Sequence, residues 1–365
     1  MSTSKIRLIP YVRTINGDTR TPISLYLNYV GESKGFLLES REQPKGRYSI
    51  LAKSPFLEVY SFGNEVSLVK DGAETKVQGR VLDVVRDEIE RYEVVNTMNM
   101  PFVGGAVGAI GYDVIRQYER LENVGRDELG LPEVHLMFVK EVLVYDHFST
   151  KIYLICLGED TEEGKVQAQK CLSRMVMEVE DSESLATPLL VQPLKDFGSN
   201  MTKEDYMKAV MRGKEYIHEG DIFQVVLSQR FKGETDMAPF DIYRKLRQIN
   251  PTPYMFYFNY LDYQIIGSSP EMLVELRQDV IKTCPIAGTR KRGRDELEDM
   301  ALEEELMKDT KEIAEHMMLV DLGRNDMGKV SQIGSVDVVE LMKVKYYSHV
   351  MHIVSNVVGE LREGE

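Results

Sequence analysis

A chain of 365 residues that is 43% hydrophobic and 28% charged is long enough to bury a large core and to form one or two domains. Its net charge of −14 argues against a nonspecific nucleic-acid surface and obliges any anionic substrate to meet local positive charge, from a metal ion or an arginine cluster. No apolar run reaches the ~18 residues of a membrane span, MSTSKIRLIPYV lacks a signal-peptide layout, and three cysteines without CxxC spacing support neither a disulfide framework nor a zinc site. The expectation is a cytosolic protein without membrane or nucleic-acid partners.

Residues 5–180 read as short strands with a few helices, with strands expected at 57–62, 65–69, 139–145 and 151–157. Within them GGAVGAIGYD (104–113) lacks the G-x-G-x-x-G spacing, so a dinucleotide site is not supported. The stretch 181–200 loses periodicity and gathers Ser, Pro and Asp, as a linker does. After it, Thr202 and Asp205 form a capping pattern, and Tyr206, Val210, Gly213 and Ile217 recur at helical spacing until Gly220. IFQVVLSQRF (222–231) alternates and predicts a strand with Gln224 on its mixed face. Strands follow at 255–260, 264–267, 272–276 and 280–283, then one acidic helix over 295–322 and a last strand over 344–358. Runs of strands with interspersed helices and few βαβ units predict an α+β fold.

Four features carry candidate chemistry. Glu312 and Glu315 share a helix face; spacing alone reads first as a solvated acidic face, with a site for a hard, oxygen-preferring cation as the alternative. CPIAGTRKRGR (284–294) joins a strand end to a glycine turn, either as an exposed basic loop or as an anion contact through Gly288 and Thr289. SSPE presents Glu271 at a sheet rim after a proline turn, where a carboxyl is either merely solvated or, if buried, a general acid. His352 shares a strand face with Val350 and Val354, a pattern more often found in a satisfied core histidine.

The ordered set GDIFQVVLSQRF (220–231), NPTPYMFYF (250–258), GSSPE (267–271), PIAGTRKRG (285–293), KEIAEHMMLVDLGRND (311–326) and YSHVMHIVSNVVGEL (347–361) resembles the chorismate-utilising enzymes, in detail their anthranilate-forming component I branch. LLES (37–40) and GGAVGAIGYD are similar to the N-terminal domain of that family. The resemblance implies an N-terminal domain at 5–180, a linker at 181–200 and a chorismate-binding domain at 201–365, incomplete at its C-terminus. Glu315, with Glu312 beside it, is then a magnesium site; Gly288 and Thr289 contact chorismate; Glu271 protonates the departing C4 hydroxyl; and His352 supports the ring chemistry. Ammonia from a glutamine amidotransferase partner adds at C2, and pyruvate is lost. Gln224, where water-adding relatives carry a lysine base, and Ala287, where the aminodeoxychorismate branch carries a lysine, both favour anthranilate. The resemblance also implies a feedback site for L-tryptophan at Glu39, Ser40, Pro253, Tyr254 and Met255. Aminodeoxychorismate or aminodeoxyisochorismate synthesis, or a noncatalytic tryptophan-binding remnant, are the alternatives.

Overall fold

A computed structural model describes residues 5–40, 46–95, 98, 100–122, 125, 127–180, 189, 192, 195–347 and 349–365. The chain forms two compact units, Met1–Pro251 with Met255–Ser268, and Thr252–Tyr254 with Ser269–Glu365. Most of the expected linker lies outside the described residues, and its last part, Lys195–Ser199, is a strand paired with Phe231–Glu234.

The first unit is built on an eight-stranded sheet ordered Gln264–Ser269, Tyr254–Asn259, Gly35–Glu39, Tyr48–Lys53, Glu141–Asp146, Lys151–Glu159, Ile6–Asn16 and Tyr92–Val94. Both faces are apolar, and the two-residue strand period sorts side chains between them. In Lys151–Glu159, Ile152, Leu154 and Cys156 enter one core cluster and Ile155 and Leu157 the other. Helix Glu162–Glu180 covers the first of these faces, burying Ala168, Leu172, Met175 and Val179 at helical spacing.

A five-stranded sheet completes this unit's core, ordered Ala73–Gln78, Glu65–Lys70, Leu57–Phe62, Val134–Val139 and Gly105–Ile110. The strand expected at 139–145 is present as Glu141–Asp146 in the eight-stranded sheet; its start is later because Val139 ends Val134–Val139 of the five-stranded sheet, with Lys140 between them. The glycines of GGAVGAIGYD serve packing: a Cβ on Gly108 would stand 2.0 Å from the His135 carbonyl oxygen. Helix Lys203–Glu219 begins and ends as its sequence dictates. The Thr202 hydroxyl accepts from the Asp205 N–H at 3.1 Å, and Gly220 closes the helix at φ 84°.

The expected strand at 222–231 is not formed; only Phe231–Glu234 is extended into a ladder, and Phe223 and Val226 are 87% and 85% exposed. Alternation supplies two faces but no hydrogen-bond partner, and among the described residues no strand lies against 222–230 to complete the ladder.

The second unit holds a five-stranded sheet ordered Glu275–Arg277, Val280–Thr283, Val350–Glu360 and Ile286–Lys291, with Asp337–Tyr346 also paired to Val350–Glu360. The strand expected at 272–276 is shorter and later. The one expected at 344–358 is two antiparallel strands, Asp337–Tyr346 and Val350–Glu360, paired with each other. The long acidic helix is two, Glu296–Leu306 and Thr310–Val330. Asp309 makes the break, because its carboxylate accepts from the Lys311 and Glu312 N–H groups at 3.0 and 3.3 Å and starts a new helix. Among the described residues no helix is long and apolar enough to cross a membrane.

Candidate active site

Six of the residues singled out in the sequence, Glu271, Gly288, Thr289, Glu312, Glu315 and His352, line one cavity of about 400 Å³ in the second unit, together with Ala287. Cavities of about 480 and 820 Å³ in the first unit hold none of the expected site residues. The smaller cavity is the better site because polar groups of different chemistry converge on it.

Its floor is a β-bulge. The Ile286–Lys291 strand pairs with Val350–Glu360, and the register shifts between Ala287 and Thr289, leaving Gly288 outside the ladder at φ 71°. A Cβ there would be strained by that φ and would stand 3.1 Å from Ile353 Cδ1, so this position requires glycine. The expected glycine loop after a strand end is thus a strand, bulged at the residue that matters. The bulge orients His352: its Nδ1 lies 3.0 Å from the Gly288 carbonyl oxygen and 3.0 Å from Thr289 Oγ1. A carbonyl can only accept, so Nδ1 carries the proton and Nε2 is left for other partners. His352 is not sealed in the core, as its flanking valines suggested.

Glu271 follows Pro270 between Gln264–Ser269 and Glu275–Arg277. Partial enclosure pushes its carboxyl above the usual carboxylate range, against the Ile286 backbone N–H and His352, which pull it down.

The first turns of helix Thr310–Val330 bring Glu312 and Glu315 to the cavity. Glu312 is held by Lys311 at 3.3 Å and by Arg290 at 4.0 Å. Glu315 has no hydrogen-bond or ion-pair partner among the described residues, although it is partly buried. Among those residues no three His, Cys, Asp or Glu side chains converge as a metal group. Two carboxylates, one unpartnered, still suit magnesium, which keeps several positions for water and substrate oxygens.

The arginines of TRKRGR are committed elsewhere. Arg290 bridges Glu305 at 3.0 Å and Asp309 at 2.8 Å; Arg292 clamps buried Asp299 at 2.6 Å; and Arg294 meets Glu298 at 2.9 Å. They neutralise the acidic helices and fix the bulge to them. Arg290 in particular positions the turn that presents Glu312. Sequence reading missed this role, although the signal was present in the charge complementarity of TRKRGR and ELEDMALEEEL.

Gln224 does not line this cavity; it is exposed and belongs to the first unit. Of the residues expected at the inhibitor site, Met255 pairs in register with Glu39, and the Ser40 N–H reaches the Tyr48 carbonyl at 3.4 Å. Pro253 and Tyr254 fall in the second unit. The free carboxylate expected at Glu39 is not available. Its oxygens accept from Arg247 Nε at 2.6 Å and Nη2 at 3.0 Å, Tyr243 at 2.7 Å and Ser49 at 3.2 Å, which fills a carboxylate's capacity of about four donors.

A profile of the family described as chorismate binding enzyme matches residues 34–365, and the chain belongs to that family. It is 47% identical over 369 residues to anthranilate synthase component 1 of Acetivibrio thermocellus, covering 98% of this chain and 75% of the relative. It is 42% identical to the same component of Pseudomonas putida, again covering 98% and 75%. The crystal structure of anthranilate synthase component I from Streptococcus pneumoniae TIGR4 superposes with a TM-score of 0.79 at 35% identity, over 97% of this chain and 77% of that one. The menaquinone-specific isochorismate synthase of Escherichia coli shares the fold at 15% identity, with a TM-score of 0.63 over 100% of this chain and 74% of that one.

Proposed function

We propose that this chain is the chorismate-handling subunit of an anthranilate synthase, converting chorismate and ammonia to anthranilate, pyruvate and water. The observation that carries the reading is the convergence of Glu271, Gly288, Thr289, Glu312, Glu315 and His352 on one cavity. Glu271, kept protonated to higher pH by its enclosure, gives its proton to the departing C4 hydroxyl, which leaves as water. His352 presents Nε2 to the ring and handles the proton that is lost as the ring becomes aromatic. The bulge at Gly288 lets the substrate approach the backbone beside Thr289. Glu312 and Glu315 hold a magnesium ion, which when bound offsets the charge of the ring carboxylate against the −14 field of the chain.

Ammonia is already nucleophilic and needs no base, which suits the cavity residue Ala287 in place of a lysine. A glutamine amidotransferase partner supplies it. The division into domains at 5–180 and 201–365 and a cytosolic setting belong to the same proposal. So does feedback binding of L-tryptophan, with Glu39 bracing its strand rather than receiving the ligand's ammonium.

The test is incubation with chorismate, magnesium and ammonium, followed by fluorescence and product analysis. Anthranilate with equimolar pyruvate supports the reading. A 4-amino or non-aromatic amino product supports the sister activities instead, and tryptophan binding without any turnover supports a regulatory remnant.

A further inference from the structure

Two thiols of the first unit take no part in this chemistry. Cys156 lies in Lys151–Glu159, on the face that Ile152 and Leu154 share. Cys171 lies in helix Glu162–Glu180, three residues after Ala168 and four before Met175, and so stands on the helix face that packs on that strand face. Both line the cavity of about 480 Å³, a volume within the usual range for small-molecule sites. Lys140 and Glu141 share its wall, and Arg174 Nη2 reaches Cys171 Sγ at 3.8 Å.

We propose that Cys156 and Cys171 are a reversible dithiol–disulfide pair that reacts with a low-molecular-weight disulfide, such as glutathione disulfide, entering this cavity. The residue types favour that reading over two others. A soft metal would need more than two thiolates, and among the described residues no third ligand joins them. Purely apolar cysteines would not have cationic neighbours.

The neighbourhood also prepares the pair for exchange. Cys171, on the facing helix, lowers the Cys156 pKa against burial and Glu141, with Arg174 and Lys140 helping. Cys156 in turn, with burial, raises the Cys171 pKa.

Cys156 as thiolate attacks one sulfur of the disulfide, forming a mixed disulfide and expelling one small thiolate, which takes up a proton. Cys171 then loses its proton as it attacks the Cys156 sulfur, and the second small thiol leaves. Two protein thiols have become one disulfide and the oxidant has become two thiols, so electrons and protons balance. The new bond ties helix Glu162–Glu180 to its strand.

The whole chain is incubated with glutathione disulfide, its remaining thiols are alkylated without reduction, and intact and peptide masses are measured. The expected product has lost two hydrogens, retains one alkylated thiol at Cys284, whose own pKa burial raises, and yields a peptide pair joined through Cys156 and Cys171. Cys171→Ser, checked for fold by circular dichroism, is expected to hold one glutathione on Cys156. Retention of glutathione on both cysteines of the unmutated chain without a cross-link overturns the proposal. So does failure of the pair to react under conditions that oxidise a small dithiol control.

Discussion

Glu39 and Glu315 are both glutamates shielded from much of the solvent, and the two units use them in opposite ways. In the first unit Glu39 is 3% exposed and takes four donors from Arg247, Tyr243 and Ser49. In the second, Glu315 faces a cavity with no partner among the described residues. A carboxylate removed from water is tolerated when its lone pairs are filled, and one left unfilled beside a cavity is free for a cation or a substrate. Saturation marks a strut and vacancy marks a site.

Substitutions in the two regions are therefore expected to separate activity from stability. The largest effect is expected at the cavity: Glu271→Gln lowers kcat by roughly 10²–10⁴-fold, the usual worth of a general acid. In the parent, because the folded pKa of Glu271 is raised, kcat/KM falls as pH climbs through that value and the acid is lost. A Glu271→Gln enzyme that keeps the alkaline limb assigns the limb to another group.

Next comes Glu39→Gln, which leaves Arg247 facing a neutral amide. The cost is about 3 kcal/mol, at the low end for breaking a buried pair because Arg247 keeps some access to water. Urea unfolding measures it, and a loss below about 0.5 kcal/mol removes the strut from the comparison.

Glu315→Gln is the mirror case. Stability is expected to change by less than about 0.5 kcal/mol, as for substitutions away from packed or paired groups. The magnesium concentration for half-maximal rate is expected to rise at least ~10–100-fold, the range seen even when only a ligand's supporting group is lost. An unchanged magnesium titration would place the ion elsewhere.

The smallest effect is a pH dependence of the first unit. Burial of Asp146 opposes ionisation, but Arg47 and the N–H and hydroxyl groups of Phe148 and Ser149 overcome it and lower its pKa to about 2. The folded value is depressed, so its stabilisation is fully present above the unfolded value of about 3.9 and fades as pH falls through about 2. Asp146→Asn should flatten that part of the stability–pH curve, and equal slopes in the two proteins would rule Asp146 out as its source.

Local signals read from the sequence held where the deciding contact is close along the chain. The cap at Thr202 and the stop at Gly220 are settled within one or two turns of the helix. The strands at 57–62 and 280–283 carry β-rich composition between turn residues. Reading failed where a partner decides. IFQVVLSQRF has the alternation of a strand, yet of its residues only Phe231 finds a described partner strand. The strand expected from Val139 starts at Glu141, because Val139 is taken by a partner in the other sheet. The acidic helix broke at Asp309 because a side chain competed successfully for backbone N–H groups, a contest that charge pattern alone does not score.

By itself, the sequence determined the α+β character, the chemical kinds of group available and the motifs that tie the chain to chorismate-binding enzymes. Tertiary structure alone decided which groups meet. Glu271, Gly288, Glu315 and His352 are spread over some eighty residues and converge because a bulged strand, an antiparallel strand pair and a capped helix pack together. Glu39 and Arg247, more than two hundred residues apart, close on each other and cancel the availability that the local sequence suggested. Residue type sets what a side chain can do; burial and the count of its donors, both products of packing, set whether it is free to do it.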